Sequence, residues 1–191
     1  MTFTDEAHEK DLVRRHIHPG DIVLEGGAGQ GGVSQVMFDL KANVIGVDIS
    51  PEPPIPGYLE WHQGVLWSGG CGANKKVLVS SEWWNTTAMT HLHYGDEVDH
   101  LTLPVIDHNA LIAEKHVDAL VLDIEGAEFG VLDTLYPSPY LHTIIAEVHI
   151  HWHGMYAASE LIDRVAERLM LPLQASILQD NGNLHVVWSN R

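Results

Sequence analysis

The sequence has little cysteine and few basic residues. Its 191 residues include a single cysteine, Cys71, so an internal disulfide framework is excluded and a reducing compartment is expected. Ten Lys and Arg against 26 Asp and Glu give a formal net charge of −16 with histidine neutral. This charge would repel a phosphate backbone over most of the surface, so no nucleic-acid partner is expected.

Long apolar runs are also missing. No segment approaches the ~18 consecutive apolar residues of a membrane-spanning helix, and the acidic first residues lack the apolar core of a signal peptide. We therefore expect a cytoplasmic protein with no membrane partner. The length fits one domain, residues 1–191. Within it we expect a leading helical segment at residues 1–18 and a variable insertion or lid region at residues 68–106.

Strand-like apolar runs alternate with helix-like apolar stripes along the chain, which predicts parallel βα units. The predicted strands cover residues 22–24, 43–48, 61–67, 76–81, 101–105, 117–122, 143–148, 174–178 and 184–188. The predicted helices cover residues 5–17, 33–40, 107–116 with Asp107 as the N-cap, 129–135 and 161–169. Repeated prolines make residues 51–57 an extended loop. Asn181-Gly182 predicts a hairpin between the last two strands. The expected fold class is α/β, with a mostly parallel sheet that closes with an antiparallel C-terminal hairpin.

A glycine-rich loop follows the first predicted strand. Residues 27–32 read GAGQGG and satisfy the pattern G-x-G-x-x-G, whose glycines let backbone N–H groups approach a ligand at a helix N-terminus. Asp48 closes the second strand about twenty residues later, where a carboxylate accepts hydrogen bonds from ribose hydroxyls. The structural alternatives are a turn without a ligand and Asp48 as a simple strand-end cap.

Glu25 stands at the end of the first strand, just before the glycines. A dinucleotide would place its pyrophosphate there, and a fixed carboxylate beside it would be unfavourable. A ligand with a cationic amino or sulfonium group would be stabilised instead. The position of Glu25 therefore favours S-adenosylmethionine over NAD.

Two segments resemble a known family. Residues 20–32, GDIVLEGGAGQGG, resemble the first motif of class I S-adenosylmethionine-dependent methyltransferases, and residues 117–128, VDALVLDIEGAE, resemble the more specific signature of FkbM-type methyltransferases. Residues 144–149, IIAEVH, are similar to the strand that follows there. The resemblance implies a seven-stranded Rossmann-like sheet with an antiparallel final strand. It also implies O-methylation of a small-molecule or sugar-like hydroxyl acceptor.

The chain departs from the family pattern at three places. Leu122 stands where members usually carry a basic residue, and Asp48-Ile49 stands where they usually have Glu-Pro. The proline-rich segment 51–57 replaces a helix.

The predicted site residues lie at the carboxyl ends of strands. The residues expected to bind S-adenosylmethionine are Glu25, Gly26, Gly27, Ala28, Gly29, Asp48, Ile49 and Asp123. The residues expected to be catalytic are Asp123, Glu125, Glu147 and His149. Either His149 is the general base, oriented by Glu147 or Asp123, or these three side chains hold Mg²⁺ against the acceptor hydroxyl. In the structural alternative, Glu128 caps a helix and Glu125 shapes a turn.

Two further patterns are ambiguous. His149, His151 and His153 would share one face of an extended segment, a spacing that suits Zn²⁺ or Ni²⁺, although 14 histidines make chance a fair rival. Trp83-Trp84 would cover a sugar-like acceptor, or else pack in the core or at an oligomer contact. The oligomeric state stays open. An NAD-binding Rossmann oxidoreductase and a non-catalytic S-adenosylmethionine-binding module remain as alternative functions.

Overall fold

The computed structural model describes residues 5–67, 74–80, 85–86, 98–179 and 183–191. Trp83-Trp84, Cys71 and the Asn181-Gly182 turn lie outside the described residues. The strands are β1 (Ile22–Gly26), β2 (Asn43–Asp48), β3 (Glu60–Gln63), β4 (Val65–Trp67), β5 (Asn74–Ser80), β6 (Asn85–Thr86), β7 (Val98–Asp107), β8 (Ala119–Leu122), β9 (Thr143–Val148), β10 (Leu173–Leu178) and β11 (Leu184–Ser189). The helices are α1 (Asp5–His16), α2 (Gly32–Asp39), α3 (His108–Lys115), α4 (Glu128–Thr134), α5 (Ile150–His153) and α6 (Met155–Leu169).

The main sheet has seven strands in the order β10-β11-β9-β8-β1-β2-β3. From β9 to β3 the neighbouring strands are parallel, whereas β11 is antiparallel to both β9 and β10. This topology confirms the predicted α/β fold with a C-terminal antiparallel hairpin. It also places the carboxyl ends of β1, β2 and β8 at one edge of the sheet, where the order of the strands along the chain reverses between β1 and β8.

A second, four-stranded sheet has the order β4-β7-β5-β6. The single strand predicted over residues 61–67 is wrong, because β3 joins the main sheet and β4 joins this second sheet. Gly64 lies at the break, where an added Cβ would approach the carbonyl oxygen of Pro104 at 2.7 Å. The described part of the predicted insertion therefore contains a sheet of its own, and its role as a lid stays a prediction.

The two faces of the main sheet bury different residues of the same strands. Val23, Val121 and Ile145 belong to the apolar cluster with α1 and α2, whereas Leu24, Leu122 and Ile144 belong to the cluster with α3, α4 and α6. Side chains alternate between faces along a strand, so the same alternation continues to the strand ends. Glu25, Asp123 and Glu147 consequently occupy positions on the face of the sheet that α1 covers.

The helix ends and loops largely follow their sequence signals. The carboxylate of Asp107 accepts hydrogen bonds from the N–H groups of Asn109 at 3.0 Å and Ala110 at 3.1 Å, which confirms it as the N-cap of α3. No helix interrupts the proline-rich segment 51–57. None of the helices in the described ranges is long and apolar enough to cross a bilayer.

Replacing the Asp107 cap tests this local assignment. We expect Asp107→Ala to lower the free energy of unfolding by about 1 kcal/mol, because two N–H groups of α3 lose their acceptor. Asp107→Asn keeps an acceptor oxygen and should retain most of the stability. Urea denaturation of the three proteins measures both effects. Equal losses for alanine and asparagine would contradict the capping role.

Candidate active site

The glycine loop is held tightly against the ends of two neighbouring strands. The N–H of Gly27 donates to the carbonyl of Val47, and the N–H of Asp123 donates to the carbonyl of Gly26, each at 3.0 Å. Gly27 has a φ of 82°, and an added Cβ would lie 1.7 Å from the carbonyl oxygen of Asp123. No other residue fits at this position, so part of the glycine pattern serves the packing of the loop.

A cavity of about 330 Å³ opens where the loop meets the ends of β2 and β8. Its lining includes the predicted residues Gly27, Gly29, Asp48, Ile49, Asp123 and Glu125. An added Cβ on Gly29 would meet nothing within 4 Å, which distinguishes this glycine from Gly27. Asp48 accepts hydrogen bonds from the N–H groups of Ser50 at 2.8 Å and Gly29 at 3.4 Å. Asp48 therefore caps the strand end and also lines the cavity.

A second cavity, of about 340 Å³, lies on the other side of the loop and shares Gly27, Gly29 and Asp123 with the first. Its lining also includes Glu9, Glu25, Gly26 and Ala28. Sequence analysis missed Glu9, which is only 4% exposed. A signal was present, because Glu9 lies three and four positions before the buried Leu12 and Val13, on the apolar stripe of α1.

Glu25 is 2% exposed and has partners within the chain. Its carboxyl group accepts hydrogen bonds from the hydroxyls of Ser34 at 2.8 Å and Tyr58 at 2.9 Å. Burial raises its pKa, these hydrogen bonds lower it, and the net result is a pKa of about 7. The fixed negative charge assumed from the sequence is therefore only partly present at neutral pH.

Beside the cavities, His149 lies among acidic groups. Its Nδ1 is 3.1 Å from Oε1 of Glu128, and its Nε2 is 3.2 Å from Glu125 and 3.9 Å from Asp123. Glu128, fully buried, also accepts hydrogen bonds from the N–H groups of Ile124 and Gly126. Glu128 thus fixes the loop before α4. Glu125 has a left-handed φ of 52°, an unfavourable conformation for a non-glycine residue that packing around the loop must support.

The charge state of His149 alters the predicted roles. Burial lowers its pKa, but the charges and hydrogen bonds of Glu128 and Glu125 outweigh that effect and raise the pKa to about 12. His149 is then an imidazolium at neutral pH. With both ring nitrogens protonated, it can act as a general base or as a metal ligand only after it loses a proton. The roles predicted for His149, as general base or as Mg²⁺ ligand, stay predictions, and either role requires this proton to leave.

The two remaining predicted carboxylates differ in environment. Glu147 receives a hydrogen bond from the amide of Asn183 at 2.6 Å, and its Oε2 is 3.3 Å from Nε2 of His185. Burial raises the pKa of Glu147, yet His185, His149 and Asn183 lower it to about 2. Burial and the charge of Glu147 instead raise the pKa of Asp123 well above its ordinary value.

The predicted Zn²⁺ or Ni²⁺ face is wrong in its geometry. Residues 150–153 form the short helix α5 rather than an extended segment, so alternate residues do not share a face. The His149 ring contacts the carboxylates described above, whereas the ring of His153 lies 3.9 Å from that of Phe129. The side chain of His151 lies outside the described residues.

Comparison with known proteins identifies the fold. No protein-family model and no curated protein matches the chain. Among solved structures, it is similar to 1,6-didemethyltoxoflavin-N1-methyltransferase of Burkholderia thailandensis, with bound 1,6-didemethyltoxoflavin and S-adenosylhomocysteine. The identity is 14%, over 98% of this chain and 80% of that one, with a TM-score of 0.51.

Two further structures have the same TM-score of 0.51. The ribosomal protein L11 methylase of Lactobacillus delbrueckii subsp. bulgaricus is 12% identical, over 96% of this chain and 78% of that one. TYW2 of P. horikoshii, in complex with MeSAdo, is 12% identical over 98% of this chain, which spans only 63% of that protein. At these identities the similarity establishes the fold alone, a Rossmann-like α/β sheet that the chain shares with these methyltransferases.

The environment of Glu25 predicts a pH-dependent stability. Because folding raises the pKa of this carboxyl group from 4.5 to about 7, the folded state binds its proton more tightly than the unfolded state. Its contribution to stability is complete below pH 4.5 and is lost as the pH rises to about 7. The loss amounts to about 3 kcal/mol.

Glu25→Gln removes this titration. We expect the variant to gain about 3 kcal/mol relative to the native chain between about pH 5 and about pH 8, measured by urea denaturation. Glu167→Gln, at an exposed position on α6, is the control and should show no such change. A constant difference between Glu25→Gln and the native chain at both pH values would show that Glu25 is charged throughout.

Proposed function

We propose that the chain is an S-adenosylmethionine-dependent methyltransferase of FkbM type that methylates a hydroxyl of a small molecule or sugar-like acceptor. The observation that carries this proposal is the cavity of about 330 Å³ at the carboxyl ends of β1, β2 and β8. Glycine-loop backbone, Asp48 and Asp123 all line it, within a Rossmann-like methyltransferase fold. The resemblance of residues 117–128 to the FkbM signature supports the FkbM type. This segment includes Asp123 and forms one side of the cavity.

The residues of the cavity suit the parts of this donor. Asp48 offers a carboxylate to ribose hydroxyls, and Ile49, Val65 and Leu66 offer apolar contacts beside it. The open position next to Gly29 leaves room for a ligand against the loop backbone. Asp123 and the partly ionised Glu25 stand near the loop, where they would stabilise a cationic group.

When bound, S-adenosylmethionine supplies a methyl group on a positively charged sulfur. The acceptor oxygen forms a bond to this carbon as the carbon–sulfur bond breaks, and the bonding electrons stay on sulfur. The chain must orient the acceptor and receive its proton. Glu125 is paired with the His149 imidazolium. Asp123, about one-third exposed in the cavity, is the carboxylate placed to take the proton.

Asp48 provides the test of donor recognition. We expect Asp48→Ala to weaken binding of S-adenosylmethionine more than tenfold, because a charge-assisted hydrogen bond contributes roughly 1.5 to 3 kcal/mol. Asp48→Asn keeps one acceptor oxygen for Ser50 and should bind better than the alanine variant. Isothermal titration calorimetry measures the affinities.

Asp163→Ala, at an exposed position on α6, is the matched control and should bind the donor like the native chain. Titration with NAD runs in parallel. Tighter binding of NAD than of S-adenosylmethionine would replace the methyltransferase with an oxidoreductase. Donor binding without S-adenosylhomocysteine formation in any cell extract would indicate a non-catalytic binding module.

Asp123→Asn tests the proton acceptor. The variant keeps the size of the side chain, so we expect donor binding to remain and turnover to fall by about 10²- to 10⁴-fold. The readout is S-adenosylhomocysteine formed in an extract that supports turnover by the native chain. Asp163→Asn serves as the control. Native turnover in Asp123→Asn would remove this residue from the catalytic group.

A further inference from the structure

Strand β10 forms one edge of the main sheet. It pairs with β11 on one side, and no described strand pairs with it on the other. The N–H of Gln179, just after β10, donates to the carbonyl of Asn183 at 2.8 Å, toward β11. Backbone groups alternate in direction along a strand, so the N–H and C=O groups of Ser176 and Leu178 point away from β11. Such an edge is a template for pairing with a further strand.

The β10 edge is uncharged and apolar. Residues 169–179 contain no charged side chain, in a chain that carries 26 Asp and Glu. Three of their apolar side chains are exposed, Met170 at 80%, Leu173 at 43% and Leu178 at 56%. Apolar side chains gathered along one exposed edge are typical of a protein–protein contact.

The second half of β10 lacks the usual protection of an edge strand. Natural edge strands are protected from pairing by charged side chains, proline or a bulge. In β10 these features occur only at the start, where Pro172 precedes the strand and the register shifts between Leu173 and Ala175. Residues 175–178 continue in regular register with β11. This part of the strand is therefore available to a partner.

The charge of the chain restricts what this edge can bind. A cationic partner would be attracted to the acidic surfaces of a chain with a net charge of −16, not to a neutral strand. A second copy is equally acidic, so it can approach closely only where both surfaces lack charge. The β10 edge provides such a surface on both copies at once.

The side chains of β10 also complement those of a second copy. Ala175 and Ile177 share one face of the sheet, and Ser176 lies on the other. In antiparallel pairing about a two-fold axis at Ser176, the outward backbone groups of Ser176 meet those of its copy, and Ala175 lies opposite Ile177 of the copy. A small side chain thus faces a large one on each side of the axis.

We propose that β10 is an interface between two copies of this chain, which pair antiparallel along this edge about a two-fold axis at Ser176. The two main sheets then continue as one across the interface. Because two-fold pairing uses the β10 edge of both copies, the assembly closes at the dimer. A pair of short strands gives an interface at the small end of the stable range, so we expect a dissociation constant in the micromolar range. The inference does not depend on methyl transfer.

Sedimentation equilibrium of the full chain, from about 1 to about 300 µM, tests the proposal. We expect a reversible equilibrium between monomer and dimer, with no larger species. Ser176→Lys places two ammonium groups opposite each other across the axis and should raise the dissociation constant at least about fivefold. Since Ser176 is exposed, urea denaturation at the lowest concentration should show the same stability for this variant and the native chain.

Gln35→Lys adds the same charge at an exposed position on α2 and is the matched control. It should dimerise at least as well as the native chain. Ser176→Asp should dimerise as poorly as Ser176→Lys. An equimolar mixture of the two Ser176 variants should restore the dimer, because opposite charges then meet across the axis.

A native chain that stays monomeric would overturn the proposal and leave the edge to a strand of another protein. Species that grow beyond the dimer would overturn it too, because they indicate aggregation without a closing axis. Equal dimerisation of Ser176→Lys and Gln35→Lys would place the interface elsewhere on the chain. If the mixed Ser176 variants form no dimer, the axis at Ser176 is wrong and the proposal fails. None of these outcomes bears on donor binding, which the Asp48 variants test separately.

Discussion

The close packing of the glycine loop against the end of β8 determines the geometry of the whole site. The hydrogen bond from Asp123 N–H to the Gly26 carbonyl ties the two chain segments together, and Gly27 leaves no space for a side chain between them. Both cavities open from this junction, and both are lined by Asp123. A larger residue at Gly27 would push the loop away from Asp123 and alter both cavities together.

The register of the strands then determines which face of the sheet each acidic side chain occupies. Because Glu25, Asp123 and Glu147 continue the α1 face, they stand on the side that α1 and α2 cover. Glu25 loses much of its charge to burial, whereas Glu147 keeps its charge through His185 and Asn183. Two carboxylates on one face of the sheet thus acquire different pKa values from their surroundings alone, a condition under which acid and base roles become distinct.

Local sequence signals predicted most of the fold, and several of the residues they singled out at strand ends line one cavity. Apolar periodicity and helix capping act over only a few residues. They predicted the strand 43–48, the Asp107 cap and the C-terminal strands. The break at Gly64 and the helix α5 depend on contacts with distant segments, so the local pattern suggested continuous extended chain. Glu9 was missed for the same reason, because only tertiary packing brings α1 over β8 and β9.

The charge of His149 could not be predicted from its position in the sequence. Its pKa depends on Glu128 and Glu125, whose placement requires the left-handed turn at Glu125. This ion pair holds the proton on His149, so the ring could act as a base only if it lost its contact with Glu128 or Glu125. Asp123 lies beside the same ring, and burial together with the charge of Glu147 raises its pKa, so the protonation of both side chains depends on neighbours that are distant in sequence.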